Sequence, residues 1–296
     1  MADITAGTAN TLSLGNGTAA IFLPTIWATE VLLAAENALV AANLVRRLDS
    51  QVKAKGQALI IPTIVNITAT AKSVNTDVVA TSNTETGITL NITNWYYAAV
   101  KIEDLAAVQA AYDLRSLYAE KIGYGVAKQV DTDVLGNYTG LTTTDAGAYG
   151  SDVDDATLLS ADLTLNLNDV PREDRAFIVH PYQIKALLAI DKFVRAFDVG
   201  NVNSPSRIIT GPNSRYLFGD LYGMPVYYTN NIPTTAGTPT QYHNVLIHKE
   251  AWALAMQQAP RLQAQYLVAS LAWLVVVDSI YGTTTIRPTF GVEVRS

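Results

Sequence analysis

One helical pattern constrains this chain more than any other feature of its sequence. The pattern opens at Glu103 and Asp104 and continues to Val134, with apolar side chains that recur at steps of three and four along one face. This spacing predicts an α-helix with one buried stripe. About thirty residues at the rise of an α-helix form a rod of roughly 45–50 Å. The rest of the fold must therefore be arranged along a long spine.

Two glycines interrupt that pattern, Gly123 and Gly125. Each costs about 1 kcal/mol relative to Ala inside a helix, so the sequence gives up helix stability at this point. Either a bend in the helix or the close approach of another segment would account for them. Both interpretations stay open at the level of sequence.

The segments before the spine alternate between helical and extended patterns. Residues 1–23 show no sustained period, and a second helical pattern then runs from Pro24 to Leu48 and ends before Gly56. Residues 57–100 are rich in Thr, Asn, Val and Ile, with strand patterns at 58–62 and 88–93. This segment is predicted to be a long two-stranded hairpin, which is only marginally stable alone and has to lie on another surface.

The segments after the spine mix both patterns, so the predicted fold class is α+β. Loops are expected at 136–157 and 198–215. Strands are expected at 176–179, 223–228, 245–247 and over most of the chain from 267 onward, with helices at 181–188 and 249–258. The most apolar run, 266–277, is well short of the ~20 residues that a membrane-spanning helix needs. It is predicted to be a buried strand, or a strand with a short preceding turn.

Charge is scarce for a chain of 296 residues. Charged side chains make up 16% of the sequence, against a usual value of about 25%, and the formal net charge is −6. Such a surface favours an oligomer over an isolated monomer. The acidic balance argues against binding nucleic acid by phosphate neutralisation. The absence of cysteine excludes a disulfide framework and a cysteine nucleophile.

Residue types that occur in catalytic and metal-binding sites are present, but they lack the spacing that such sites require. His180, His243 and His248 lack metal-ligand spacing, and structural roles are expected for them. Carboxylates cluster at 131–133 and 152–155 without the glycine and closing glutamate of a calcium loop, so caps and solvated charges are the favoured interpretation. We expect no enzymatic activity, no metal site and no cofactor.

The order of these segments resembles that of the major capsid proteins of tailed bacteriophages with the Hong Kong 97-type fold. The segments that carry the resemblance are Pro24 with Trp27 and Glu30, Gly56 before 60–62, 100–104 before Gln109, 170–171 before 177–179, 223–226 before 232–233, and 281–282 before 287–288. The resemblance implies an N-terminal arm (1–30), a first helix (31–56), an extended loop (57–100), a peripheral domain with the spine helix (101–150), an axial domain (151–262) and return strands to the peripheral domain (263–296).

The function that the resemblance implies is assembly. Copies would join as hexamers and pentamers into an icosahedral shell around double-stranded DNA, with which contact is non-specific. The implied partners are a portal protein, a decoration protein and, because the fold-like pattern starts by Pro24, a separate scaffolding protein. No membrane partner is expected. The implied location is the virion capsid, after synthesis in the cytoplasm of the host bacterium.

Charged and aromatic residues of the extended loop and the axial loop are the predicted subunit contacts: Lys72, Asp77, Glu85, Trp95, Arg207 and Arg215. Some members of the resembled family join the extended loop to the C-terminal region through a Lys–Asn isopeptide bond. Lys72 is a candidate lysine, but no Asn occurs after Asn244. We therefore expect no covalent crosslink.

Three alternatives remain at this stage. An encapsulin-type compartment would share the fold but enclose cargo protein. A phage tail adhesin would fit the Thr- and Asn-rich strands, although the long helix argues against it. An enzyme with a dispersed site would need a pocket or a metal centre that the sequence does not reveal.

Overall fold

A computed structural model describes residues 40–53, 56–64, 69–78, 80, 86–105, 114–143, 145–190 and 217–296. The predictions for the arm, for most of the first helix and for the loop at 198–215 lie outside these residues. The helices are α1 (Ala41–Leu44), α2 (Asp49–Val52), α3 (Leu114–Gly136), α4 (Asp155–Leu167) and α5 (Pro181–Leu188), with 3-10 turns at Asn137–Gly140 and Val268–Ser270.

The strands outnumber the helices. They are β1 (Arg46–Arg47), β2 (Ala58–Thr63), β3 (Thr86–Asn91), β4 (Asn94–Glu103), β5 (Ala146–Gly147), β6 (Arg175–Val179), β7 (Leu217–Leu221), β8 (Met224–Tyr228), β9 (Thr234–Thr235), β10 (Gln241–His248), β11 (Trp252–Leu267), β12 (Ala272–Thr285) and β13 (Gly291–Arg295). Helices and mixed sheets together confirm the α+β class.

A seven-stranded sheet forms the larger core. Its order is β5-β13-β10-β6-β8-β7, with β9 paired to β10. All five residues of β6 are buried, as expected of a strand covered on both faces. Phe177 packs with Leu165 of α4 and Leu187 of α5 on one face. Ile178 packs with Val130 of α3 on the other.

The spine helix packs on a four-stranded sheet, whose strand order is β1-β11-β12-β4. Helix α3 lies against one face, where Ile122 and Val126 contact Ile102, Val275 and Val277. Because β4 and β12 are antiparallel, Val275 lies opposite Val100, and these paired residues point toward the same face. The stripe predicted from sequence is therefore the side of α3 that is buried against this sheet.

Two predicted helices are wrong where the structure describes them. Residues 252–258 of the predicted helix 249–258 are strand β11, which pairs with β12 and, in parallel, with the short β1. The first helix does not continue to Leu48, because the chain is extended at Val45 and pairs Arg46 and Arg47 with β11. In both places hydrogen bonding to a neighbouring strand overrides local helix preference.

The two sheets also divide the chain differently from the predicted domains. Strand β11 enters the four-stranded sheet at Trp252, before the expected boundary at 262. The last strand, β13, pairs with β10 in the seven-stranded sheet, whereas β12 lies in the four-stranded sheet. The loop predicted at 136–157 contains a 3-10 turn and β5, and Asp155 begins α4.

Candidate functional site: exposed apolar surfaces

The extended hairpin, formed by β2, β3 and the described residues between them, exposes apolar side chains. Its strands pair in register from Ala58 with Asn91 to Thr63 with Thr86, so the predicted hairpin is confirmed. Ile60 is 67% exposed and Val74 is 91% exposed, and Ile64 and Val78 are similarly bare. A two-stranded sheet has no second layer to cover such groups.

The base of the extended hairpin is fixed, in contrast to its outer part. Leu90 and Ile92 are buried against Ala253 and Ala255 of β11. A Cβ placed on Gly282 of β12 would lie 2.2 Å from the backbone oxygen of Asn91, so only glycine allows the strands to approach this closely. The hairpin is thus anchored in the four-stranded sheet and presents its outer part to the surroundings.

The face of the four-stranded sheet opposite α3 forms a second exposed surface, which we call the bare face. It carries Trp95 (68% exposed), Tyr97 (74% exposed) and Ala99 of β4, next to Val276 of β12. Tyr and Trp are enriched at protein interfaces because they bury a large apolar area and keep a polar group for hydrogen bonding. This surface therefore has the composition of a contact site.

A carboxylate holds Trp95 in place on the bare face. The Trp95 Nε1–H donates to Asp278 Oδ2 at 3.3 Å, and Arg261 Nε donates to Asp278 Oδ1 at 2.9 Å. The hydrogen bond from Arg261, with those from Trp95 and Gln258, keeps the pKa of Asp278 below its ordinary value. An exposed indole that is already oriented loses little conformational entropy when a partner covers it.

Two further apolar surfaces escaped sequence analysis. The tip of the β11–β12 hairpin exposes Val268 and Leu271, and Leu271 has a φ of 44° in the left-handed region. Helix α4 exposes Leu159, Leu163 and Leu167 at steps of four, beside its buried stripe. The leucine spacing is visible in the sequence and is the signal that could have predicted this helix, whose first residues lie in the predicted loop 136–157.

Three of the six predicted contact residues fall within the described part of the chain. Lys72 and Asp77 lie on the exposed segment between β2 and β3, and Trp95 lies on the bare face. Glu85, Arg207 and Arg215 lie outside the described residues. Sequence analysis missed Arg261 and Asp278, because nothing in their spacing shows that β11 and β12 bring them beside Trp95.

The two glycines of the spine helix have open space around them. No atom of the described residues lies within 4 Å of a Cβ placed on Gly123 or Gly125, apart from the helix's own backbone. Close packing against those residues therefore does not explain the glycines. Helix α3 is continuous through both positions. The interpretation as a bend remains a proposal.

The candidate chemical residues have structural partners. Asp131 Oδ1 accepts the Ala42 backbone N–H at 3.3 Å, and burial raises its pKa. Asp154 caps α4 by accepting from Thr157 N at 2.8 Å. His243 Nδ1 lies 2.6 Å from Glu293 Oε1 in the seven-stranded sheet. Within the described ranges, no group of three or more His, Asp or Glu side chains could hold a metal ion.

Comparisons with known proteins identify similar folds. No curated protein sequence matches the chain. Its fold is similar to that of a chain from Mycobacterium phage Che8, with a TM-score of 0.76 and 24% identity over 92% of this chain and 97% of that one. The capsid of the cyanophage P-SCSP1u gives a TM-score of 0.73 and 18% identity over 99% and 98% of the two chains.

A third structure extends the fold likeness further. The capsid of a native GTA particle gives a TM-score of 0.66 and 12% identity over 96% of this chain and 99% of that one.

No helix among the described residues is long and apolar enough to cross a membrane. A family model described as phage capsid protein matches residues 42–295. The chain therefore belongs to the phage capsid protein family and has the Hong Kong 97-type fold.

Proposed function

We propose that this chain is a major capsid protein that assembles as hexamers and pentamers into an icosahedral shell around double-stranded DNA. The observation that carries the proposal is a pair of exposed apolar surfaces, the extended hairpin and the bare face, in a chain that buries every residue of the central strand β6 of its seven-stranded sheet. We infer that each surface is covered by another copy of the chain.

The two surfaces suit a head-to-tail contact between copies. Each copy offers one extended hairpin and one bare face, and the two are different patches of the same molecule. A contact between different patches is heterologous, and it closes into a ring when the rotation between copies allows. Rings of six and five copies are the capsomers that a closed shell needs.

The magnitudes support weak contacts that act together. Covering one exposed Ile or Val side chain contributes about 1.5–3 kcal/mol. The extended hairpin offers four such side chains, namely Ile60, Ile64, Val74 and Val78. Several modest contacts per copy make the shell stable through multivalency, although each contact can still form reversibly during assembly.

The remaining partners follow from the same proposal. The net charge of −6 suits a container that packaged DNA touches without specific binding. A portal protein, a separate scaffolding protein and a decoration protein complete the proposed particle, in the virion capsid and, during synthesis, in the cytoplasm of the host bacterium. We assign the chain no enzymatic role.

Assembly of the purified full-length chain tests the proposal. We expect closed shells by negative-stain electron microscopy, and Val74→Asp should prevent their formation without lowering the melting temperature of the subunit. Val74→Ile is the matched control, because it keeps an apolar side chain at the same exposed position, and it should assemble normally. Compact monomers that never assemble would overturn the proposal.

The contents of particles from the source organism separate the alternatives. DNA inside the shell supports the phage proposal, whereas a cargo protein would favour an encapsulin-type compartment. On a denaturing gel, mature particles should release intact single subunits, because no Asn follows Asn244 to pair with Lys72. A ladder of covalent multimers would contradict the absence of a crosslink.

A further inference from the structure

A pocket of about 230 Å³ opens beside the seven-stranded sheet, and its lining includes no residue of the extended hairpin or the bare face. Its walls are the turn at 150–152, the start of α5 and the loop at 239–240. Gly150 lets the two loops meet, since its φ is +82° and a Cβ there would lie 2.5 Å from Pro239 Cγ. The pocket is thus a product of folding that the sequence pattern did not show.

Tyr182 and Tyr242, which line the pocket, belong to a stack of three aromatic rings. His180 stacks on Tyr242 with ring centroids 4.4 Å apart, and Tyr242 stacks on Tyr182 at 5.3 Å with an interplanar angle of 15°. Tyr182 ends the stack and is 61% exposed. The π-face of a Tyr ring carries partial negative charge, so the stack offers an electron-rich surface to the pocket.

Among the described residues that line the pocket, Asp152 is the one with a charged side chain. Asp154 caps α4 and Asp155 accepts from the Tyr222 hydroxyl, but Asp152 has no hydrogen-bond or ion-pair partner among the residues that the structure describes. No Lys or Arg is among the described residues that line the pocket. Burial lowers the pKa of His180, so the ring under Tyr242 adds no positive charge at neutral pH.

We propose that this pocket binds an organic cation, an ammonium or guanidinium group on a flexible stem, between the Asp152 carboxylate and the exposed ring of Tyr182. A cation is attracted by both groups, through Coulomb energy and through the cation–π interaction. An anion would be repelled by both. A planar guanidinium can also lie parallel to the ring while it donates to the carboxylate.

Two sources can supply this chemistry, a free polyamine or a basic side chain of a protein partner. The pocket lies within one chain and needs no second copy. The proposal can therefore be tested independently of shell assembly.

Titration of the folded full-length chain with agmatine tests the proposal, by calorimetry or by NMR of labelled tyrosine. We expect millimolar affinity, typical of one small ligand on an open site, and weaker binding as salt is added. Asp152→Asn should reduce the affinity about tenfold, because it removes the charge and keeps the shape. Glucose and inorganic phosphate are the neutral and anionic probes, and neither should bind.

The Tyr182 ring is tested by a matched pair of substitutions. Tyr182→Phe keeps the ring and should keep the affinity for agmatine, whereas Tyr182→Leu should reduce it severalfold. Lys185→Gln removes a positive charge one turn along α5 and should tighten binding slightly. Melting curves of each variant check that the chain remains folded.

Spermidine and N-acetyl-arginine amide, compared at equal ionic strength, separate the two sources. Tighter binding of spermidine favours a free polyamine, and tighter binding of the arginine derivative favours a protein side chain; either result supports a cation site. Equal binding of agmatine and glucose, binding of phosphate, or an affinity unchanged by Asp152→Asn would overturn the proposal.

Discussion

The seven-stranded sheet and the extended hairpin differ in what covers their apolar side chains. In the sheet, α4 and α5 cover one face and the end of α3 covers the other, so Phe177 and Ile178 on opposite faces of one strand are both buried. In the extended hairpin, Ile60 and Val74 have only solvent on their outer side. One region is covered within the single chain, and the other remains exposed on it.

Under the proposed function, this difference separates the region that stabilises the fold from the region that takes part in assembly. A region whose core is closed supplies the stability of the subunit before any contact forms. A region that is anchored at Leu90 and Gly282 but bare further out can dock without unfolding the rest. Changes in the first region should therefore act on stability, and changes in the second should act on assembly.

The largest effect is expected from Phe177→Ala. Phe177 is 1% exposed, and truncating a buried Phe costs about 3–5 kcal/mol through lost contacts and a cavity. Urea unfolding of the isolated subunit should show this loss. Ile60→Ala, at an exposed position of the extended hairpin, is the control and should leave the unfolding midpoint nearly unchanged. Equal destabilisation by both variants would break the distinction between the two regions.

A smaller effect is expected from Gly282→Ala at the base of the extended hairpin. The new Cβ would lie 2.2 Å from the Asn91 oxygen, so β3 must move, at a cost of about 1–3 kcal/mol. Because the hairpin is displaced at its anchor, shell formation should fail even where the subunit remains folded. Gly223→Ala is a control at a glycine with open space but a positive φ, and it should lower stability without blocking assembly.

Substituting both spine glycines by alanine should raise the stability of the subunit, whereas the two preceding substitutions lower it. Each site has open space, so Gly123→Ala and Gly125→Ala should each stabilise α3 by up to about 1 kcal/mol. If the helix bends as the shell expands, the double variant should assemble but expand more slowly, which time-resolved scattering can follow. Normal expansion of the double variant would remove the bending proposal.

The smallest effect is expected when the pH is lowered and Asp278, on the bare face, becomes protonated. Hydrogen bonds from Arg261, Trp95 and Gln258 lower the pKa of Asp278. The stabilisation that these bonds give to the ionised carboxylate is therefore fully present above the ordinary Asp pKa of 3.8. It is lost as the pH falls through the lowered pKa. The NMR signal of the Trp95 indole N–H should titrate with a midpoint below 3.8. Asp278→Asn should abolish that titration; its persistence would show that another group is responsible.

Sequence reasoning worked where a segment's own pattern was sufficient. Helix α5 has the predicted bounds, because Pro181 is suited to the first turn and the apolar spacing continues to Leu188. The extended hairpin and the buried side of α3 were also read correctly from alternation and from steps of four. In these segments local preference and tertiary environment agree.

Sequence reasoning failed where a distant strand decided the outcome. The segment from Trp252 is rich in Ala, Leu and Met, which favour helix, yet it pairs with β1 and β12 in the centre of a sheet. The contact between Trp95 and Asp278 joins residues 183 positions apart, so no local spacing could reveal it.

The sequence by itself determined the extended hairpin, the bounds of α5, the α+β class and the shortage of charge that pointed to a shared surface. It did so because periodicity and composition are local properties. Only the tertiary structure decided which apolar side chains stay exposed, since burial depends on what packs across from each residue. The bare face, the anchored hairpin and the cation pocket all come from such long-range pairings.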